Sequence, residues 1–194
     1  MNKKLNYFLL LLITCNSPTY SADSASSYAI KGVGIASCSH FIKSAKAQDK
    51  LYFIYGGWVD GFVTASNQHL RETFDLTPWQ STGLLLKIAE SICAQNPKMQ
   101  FHQAINKIKV ELAKQRLDKG ENYVDIANNK KYVYQEEVIR RMKQMLKNKK
   151  HYSGPINAEY DENMKIAVKS FQKSIKQSQT GLPDQGTLFE LFKP

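Results

Sequence analysis

The sequence predicts an all-α protein built of two small helical domains. Its apolar residues recur every three or four positions from residue 36 to residue 119, and again from residue 135, which is the spacing of one buried helix face. Between these stretches, two short β-prone runs flank Asn128 and Asn129, so a short hairpin or an extended linker is expected there. The helical pattern is therefore interrupted once, and the interruption predicts the boundary between the two domains.

The N-terminus has the pattern of a secretory signal peptide at residues 1–21. Two lysines are followed by an apolar stretch at residues 5–13 and by a small-x-small cleavage site, Thr19-Tyr20-Ser21. The apolar stretch is about half as long as the roughly 30 Å hydrocarbon core of a bilayer requires, so it does not predict a transmembrane helix. The alternative is a lipoprotein signal in which Cys15 is lipidated. We therefore expect export to a Gram-negative-type periplasm, or a membrane anchor at Cys15.

The net charge also differs between the two halves of the chain that follow the predicted signal peptide. Residues 22–97 are neutral overall, whereas residues 98–194 carry a net charge of +8. The densest basic run, from Arg140 to Lys150, predicts either an anion-binding patch or a solvated helix face. Because an exported protein meets wall polymers and lipid head groups, nucleic acid is not an expected partner. The predicted units after the signal peptide are a helical domain at 22–119, a linker or short hairpin at 120–134 and a second helical domain at 135–194.

Two cysteines, Cys38 and Cys93, remain after removal of the signal peptide. An oxidising compartment permits disulfides, so we expect these two to pair, and the alternative is two buried free thiols. In the chain-entropy model, closing a loop of this length stabilises the fold by about 4 kcal/mol. The chain has no Cys-x-x-Cys or similar set of four closely spaced ligands, so neither a metal site nor a cofactor is predicted.

Capping signals and helix breakers place four helices in the first domain. The expected helices are residues 37–47, a second capped by Asp49, a third that starts at Thr77-Pro78 and ends near Cys93, and a fourth from the break at 95–97 to Gly120. Three glycines, Gly56, Gly57 and Gly61, lie within the second helix, where each costs about 1 kcal/mol relative to alanine. We expect the close approach of another helix to compensate for them.

The second domain is predicted to hold three helices that form one compact core. Their apolar stripes run from Val138 to Leu146, from Met164 to Ile175 and from Leu188 to Phe192, and Asp184 lies near the start of the last helix. The motifs of this segment are Gly154-Pro155-Ile156-Asn157, Ala167-Val168-Lys169-Ser170-Phe171-Gln172, Thr180-Gly181 and Asp184-Gln185-Gly186-Thr187-Leu188. With these motifs, residues 135–192 resemble the three-helix peptidoglycan-binding domain found beside many wall hydrolases and in non-catalytic wall proteins.

Three dipeptides depart from the pattern of that family. Its Asp-Gly turn is Asn157-Ala158 here, its Phe-Gly is Tyr160-Asp161, and the Gly-Leu after its Phe-Gln helix is Lys176-Gln177. We expect the fold to survive these changes. Whether the ligand groove survives them is left open by the sequence.

The resemblance implies peptidoglycan as the ligand, and five residues are candidates for contacting it. Stem-peptide carboxylates suit cations, and sugars suit amide groups and aromatic surfaces. The candidates at suitable loop and helix positions are Tyr152, Asn157, Tyr160, Gln172 and Lys173. For Gln172, a structural hydrogen bond is an equally good interpretation.

The first domain carries a looser resemblance. Cys38 before a helix, the segment Tyr55 to Phe62 and the segment Ile92 to Pro97 resemble the small all-helical periplasmic proteins of the Rap/Tai immunity group, over about residues 36–115. Members of that group include proteins that neutralise cell-wall amidase toxins delivered by type VI secretion. The markers shared with this group are structural, so the resemblance implies a fold more than an activity.

No catalytic constellation is evident. The four histidines, His40, His69, His102 and His151, are scattered, and a cysteine in a disulfide cannot attack a substrate. We therefore predict a non-catalytic exported protein that binds peptidoglycan through its second domain and presents its first domain in the periplasm. The alternative is an immunity or inhibitor protein that binds a cell-wall-degrading toxin or amidase.

Overall fold

The computed structural model describes residues 23, 27–128 and 130–193. The predicted signal peptide, its cleavage site and Cys15 lie outside the described residues. The chain divides into two units, residues 1–30 and 31–194, and the elements below all belong to the second unit.

The described residues form seven α-helices, one 3-10 turn and one two-stranded sheet. After the 3-10 turn Gly32–Ile35, the elements are α1 (Cys38–Ala47), α2 (Lys50–His69), α3 (Thr82–Gln95), α4 (Phe101–Leu112), β1 (Tyr123–Asp125), β2 (Val133–Gln135), α5 (Glu136–Asn148), α6 (Glu162–Ser174) and α7 (Gln185–Phe192). The strands pair antiparallel, with Val124 opposite Tyr134. The predicted all-α class and the predicted hairpin are both confirmed.

Side-chain caps fix the starts of five of these helices, one of which, α3, is capped by Ser81. Ser37 and Asp49 accept hydrogen bonds from the backbone N–H groups three residues later, at 3.3 and 3.0 Å. Asp161 and Asp184 cap α6 and α7 in the same way, each at 2.8 Å. Such caps satisfy N–H groups that have no partner within the helix, so the sequence determines these boundaries locally.

Two predicted boundaries in the first domain are wrong. Helix α3 begins at Thr82 instead of Thr77, because Asp75 accepts the Thr77 N–H at 2.9 Å and closes a turn, whereas Ser81 is the residue that caps the helix. Helix α4 ends at Leu112 instead of Gly120. Leu117 is drawn out of the helical path because it pairs with Asp75 in an isolated antiparallel bridge.

The first hydrophobic cluster lies among α1 to α4. Phe41, Tyr55 and Phe101 are buried at its centre, with ring centroids 4.6–4.9 Å apart. The buried Cys38–Cys93 disulfide joins α1 to α3 with Cα atoms 4.8 Å apart, which confirms the predicted pairing.

The glycines of α2 only partly match the expected close helix approach. A Cβ on Gly56 would lie 3.5 Å from Cγ2 of Thr82, which is an ordinary contact with α3. Among the described residues, nothing lies within 4 Å of a Cβ built on Gly57 or Gly61, so the expected close helix approach is wrong at those two positions.

The second hydrophobic cluster lies among α5, α6 and α7, and two residues from before the hairpin complete it. Trp79 stacks on Phe192 with ring centroids 5.1 Å apart, and Leu117 is 1% exposed within the same cluster. Gln185 ties this arrangement together, since its amide donates to the Trp79 carbonyl at 2.7 Å and accepts from the Ser81 N–H at 2.8 Å. The predicted division into domains at 119 and 135 stays a prediction.

Candidate functional site

The loop after α5 is held in place by one side chain of that helix and by two of its own. The buried Lys143 donates to Oδ1 of Asn157, and its Nζ lies 5.4 Å from the ring centroid of Tyr152. The Tyr152 hydroxyl donates to the Pro155 carbonyl at 3.0 Å. A Cβ on Gly154 would come within 2.6 Å of Cζ of Tyr152, so glycine is required there for this tyrosine to stay in place.

Tyr160 and Gln172 meet at Gly181, at the turn between α6 and α7. The Tyr160 hydroxyl donates to the Gly181 carbonyl at 2.8 Å, and burial raises the pKa of Tyr160. Gln172 is 0% exposed; its oxygen accepts the Gly181 N–H at 2.9 Å, and its nitrogen donates to the Leu182 carbonyl at 2.9 Å. Gly181 has φ +71°, a left-handed conformation that suits glycine.

A hydrogen-bond relay leads from Gln172 to Gln177. The Gln172 nitrogen donates to the Thr187 hydroxyl at 3.1 Å, and that hydroxyl donates to Oε1 of Gln177 at 3.0 Å. The Thr187 hydroxyl has a single proton, and it donates that proton to the oxygen of the Gln177 amide. The amide is thereby fixed in orientation, with its NH2 group on the side away from Thr187. Gln177 is one of the three departures from the family pattern.

The structure links the candidate residues in two pairs. Tyr152 and Asn157 share Lys143, and Tyr160 and Gln172 share Gly181, whereas Lys173 is exposed near the end of α6. The Gln172 amide and the hydroxyl groups of Tyr152 and Tyr160 all form hydrogen bonds with other groups of the protein. Their part in ligand contact stays a prediction, and the geometry gives Gln172 a structural role.

Two arginines of the predicted basic run, Arg140 and Arg141, form hydrogen bonds and ion pairs with other residues of the protein. Arg140 donates to Glu121 at 2.6 Å and to Glu136 at 2.8 Å. Arg141 donates to Glu137 at 3.0 Å and to the Gln115 carbonyl at 2.6 Å. These arginines therefore tie α5 to the preceding chain, and the anion-binding interpretation of the run loses two of its strongest cations.

An open cavity of about 650 Å³ lies between the hairpin and the start of α7, and we call it the Tyr132 cavity. Its lining includes Lys131, Tyr132, Tyr134, Gln177, Asp184 and Gln185. Burial raises the pKa of Tyr134, whose hydroxyl donates to the Pro183 carbonyl at 2.9 Å.

Sequence reasoning missed this cavity. It placed Tyr132 in a linker or short hairpin and noted Gln177 only as a departure from the family pattern, and only the tertiary structure brings the two segments together. A tyrosine beside Lys131, in a stretch otherwise expected to be a solvated linker, is the one signal that pointed to the cavity.

A match to a known protein family covers the three C-terminal helices. Residues 135–191 match the family model of a putative peptidoglycan binding domain. The C-terminal segment is a peptidoglycan-binding-like domain. The match begins at the last residue of β2 and reaches into α7, so this peptidoglycan-binding-like domain is the three-helix unit of α5, α6 and α7. No curated protein and no solved structure matches the chain significantly. The Rap/Tai resemblance of the first domain stays a prediction.

The described part of the chain holds neither a metal-binding cluster nor a membrane-spanning helix. There, no group of three or more His, Cys, Asp and Glu side chains is arranged to hold a metal ion. No helix within the same residues combines the length and the apolar character needed to cross a bilayer. His40, His102 and His151 each pair with a different neighbour, namely Tyr55, the Gly34 carbonyl and Ser170.

Proposed function

We propose that this chain is a non-catalytic protein, exported to the periplasm, that binds peptidoglycan through its peptidoglycan-binding-like domain. The observation that carries the proposal is the family match over residues 135–191. The three helices of that segment enclose a continuous core, and the turns between them are held by Tyr152, Tyr160 and Gln172. Departures from the family at Tyr160 and Asp161 are accommodated, since Tyr160 bonds Gly181 and Asp161 caps α6.

The basic charge of the second half supports the same ligand. Peptidoglycan stem peptides carry carboxylates, which attract a protein surface rich in lysine. Charge alone gives weak, salt-sensitive binding, because the Debye length falls from about 10 Å at 0.1 M salt to about 3 Å at 1 M. Specific binding therefore requires contacts that persist in salt.

The test is co-sedimentation of the oxidised chain, residues 22–194, with purified peptidoglycan sacculi at low and at raised salt. The whole chain is used because Trp79 and Leu117 complete the core of the second helical unit. We expect binding that persists when the salt is raised. Failure to sediment, or loss of binding with a modest rise in salt, would contradict the proposal.

A variant of Lys173 tests the predicted cationic contact. Lys173→Ala removes an exposed charge from α6 and is expected to weaken binding to sacculi severalfold. The matched control, Lys107→Ala, removes the same charge from an exposed position on α4 and is expected to leave binding unchanged. Equal effects of the two variants would show that only net charge matters.

An immunity-type role is the second candidate, and the surface of α2 favours it. Phe53 and Ile54 are 69% and 55% exposed, and Gly57 and Gly61 lie on the same helix with open space above them. Apolar side chains next to open glycines form a surface that another protein can approach closely. The second role predicts that the purified chain inhibits a peptidoglycan amidase and that Phe53→Asp abolishes this inhibition. Full amidase activity in the presence of excess chain would rule it out for the enzyme tested.

A further inference from the structure

We propose that the Tyr132 cavity binds the sugar part of peptidoglycan, with Tyr132 as the stacking surface and Gln177 as the hydrogen-bond donor. The inference rests on the proposed function and names the part of the ligand that is recognised and where. At about 650 Å³, the cavity has the size typical of small-ligand sites. Its lining comes from four separate stretches of chain, at Ser81, 131–134, Gln177 and 184–186, of which the last two lie within residues 135–191.

The aromatic surface is supplied by the hairpin. Tyr132 is half-buried beside β2, and the Nζ of Lys131 lies 5.5 Å from its ring centroid. The face of an aromatic ring suits the C–H groups of a sugar, and the phenol hydroxyl adds a polar group at the edge. Lys131 places a positive charge next to this ring, where it can also donate to a hydroxyl or carbonyl oxygen of the ligand.

The amide donor is fixed in orientation before any ligand arrives. Thr187 holds the oxygen of Gln177 at 3.0 Å, and Thr187 is itself held by the fully buried Gln172. The NH2 group of Gln177 has no acceptor among the described residues, although it lies in the cavity lining. An amide at residue 177 therefore presents a hydrogen-bond donor to the cavity, which an apolar side chain could not supply.

An acceptor and a rigid floor complete the arrangement. Asp184 uses Oδ1 to cap α7, and its second oxygen, which has no hydrogen-bond donor among the described residues, can accept from sugar hydroxyls. Beneath it, the Tyr134 hydroxyl bonds the Pro183 carbonyl at 2.9 Å, and Gln185 bonds Trp79 and Ser81. Because these groups are already ordered, binding a ligand costs little additional ordering entropy.

The combination of groups favours a sugar over a charged peptide. A tyrosine ring, an amide donor and a carboxylate acceptor match the alternating apolar faces and hydroxyl edges of a pyranose. A stem peptide with several carboxylates would find a single ammonium group in the lining, that of Lys131, and would also meet the negative charge of Asp184. The amino sugars of the glycan strand are therefore the assigned ligand.

The test compares two tyrosines of the same hairpin in the full oxidised chain, residues 22–194. Tyr132→Ala is expected to weaken binding to sacculi at raised salt by tenfold or more. Tyr123→Ala, which removes a 61% exposed tyrosine from β1 outside the cavity lining, is the matched control and is expected to bind like the unaltered chain. Tyr132→Phe keeps the ring and is expected to retain most of the binding, which separates loss of the stacking surface from misfolding.

The ligand is assigned by titration with two soluble fragments. At raised salt, glycan strands freed of stem peptides should bind the unaltered chain, and Gln177→Leu, which removes the amide donor, should weaken that binding severalfold. Free stem peptides should show no measurable binding at the same salt and concentrations, because attraction by charge alone is screened there. Binding of the peptide but not of the glycan would overturn the assignment of the ligand.

The sedimentation experiment distinguishes failure of the cavity assignment from failure of the proposed function. If the unaltered chain sediments with sacculi and Tyr132→Ala sediments equally, the cavity is not the site, although the chain binds peptidoglycan. If the unaltered chain does not sediment at all, the proposed function is wrong and the inference is wrong with it.

Discussion

Lys176 adopts a backbone conformation that ordinarily favours glycine. Its φ is +57°, directly after α6, and the related family has glycine at this position. A side chain in this left-handed region costs about 1 kcal/mol or more, because Cβ comes close to a carbonyl oxygen. The departure at residue 176 is therefore tolerated at a cost in stability, whereas the departure at residue 177 adds a donor to the Tyr132 cavity.

We expect Lys176→Gly to raise the free energy of unfolding by about 0.5–1 kcal/mol, since relief of the strained φ exceeds the added entropy of the unfolded chain. Lys169→Gly is the matched control. It lies on the exposed side of α6, where glycine should lower stability by about 1 kcal/mol. Urea denaturation of both variants provides the measurement, and destabilisation by both would show that residue 176 bears no strain.

The segment leading into the hairpin is held to α5 by charge. Arg140 donates to Glu121 at 2.6 Å across 19 residues of sequence, and also to Glu136 within its own helix. This hydrogen bond from Arg140 holds the pKa of Glu121 below its usual range. Because the carboxylate is deprotonated more readily in the folded state than in the unfolded state, folding is favoured at neutral pH and less favoured in acid.

Glu121→Gln should therefore reduce the acid sensitivity of the fold. The stabilisation due to Glu121 is present above the ordinary glutamate pKa of about 4.3 and is lost as the pH falls through the lowered value. We expect the variant to be less stable at pH 7, with a shallower decline on acidification. The control is Glu72→Gln, whose side chain is exposed and forms no ion pair among the described residues, and it should leave the pH profile unchanged. Parallel profiles for Glu121→Gln and the unaltered chain would argue against this role.

Sequence patterns determined the elements wherever the deciding interaction is local. Asp49 and Asp184 were identified as helix starts because a cap acts within three residues, and the hairpin was anticipated from its β-prone runs around a turn. Helix α3 begins five residues later than the sequence predicts, and the segment before it is held by Gln185 of α7, which bonds Trp79 and Ser81 across more than a hundred residues. The Tyr132 cavity could not be predicted for the same reason.

Contacts from before the hairpin complete the core of the peptidoglycan-binding-like domain. Trp79 stacks on Phe192, and Arg141 donates to the Gln115 carbonyl at 2.6 Å. Two hydrophobic clusters that share such contacts are expected to unfold together, because exposing one removes part of the other. Sequence patterns predicted the two clusters but not the residues that join them.

Trp79→Ala is expected to lower the free energy of unfolding by about 3–5 kcal/mol, the usual cost of deleting a large buried side chain, and to do so in a single transition. Phe53→Ala, which removes a 69% exposed ring, should change stability by no more than about 0.5 kcal/mol. Calorimetry with the disulfide intact measures both. Two separate transitions, of which Trp79→Ala shifts only one, would instead favour independent domains divided near residues 119–135.

The position of the disulfide determines when it can be made and when it can be broken. Both cysteines are 0% exposed, enclosed between α1 and α3. Thiol exchange requires a thiolate to reach one of the sulfur atoms, so an external reductant acts only on molecules in which these helices have separated. The rate at which the disulfide is reduced therefore reports how often α1 and α3 separate. An oxidised chain accordingly keeps its cross-link when it is exposed only briefly to a reductant. By the same geometry, an external oxidant reaches the two thiols before α1 closes on α3 or when the two helices have separated again.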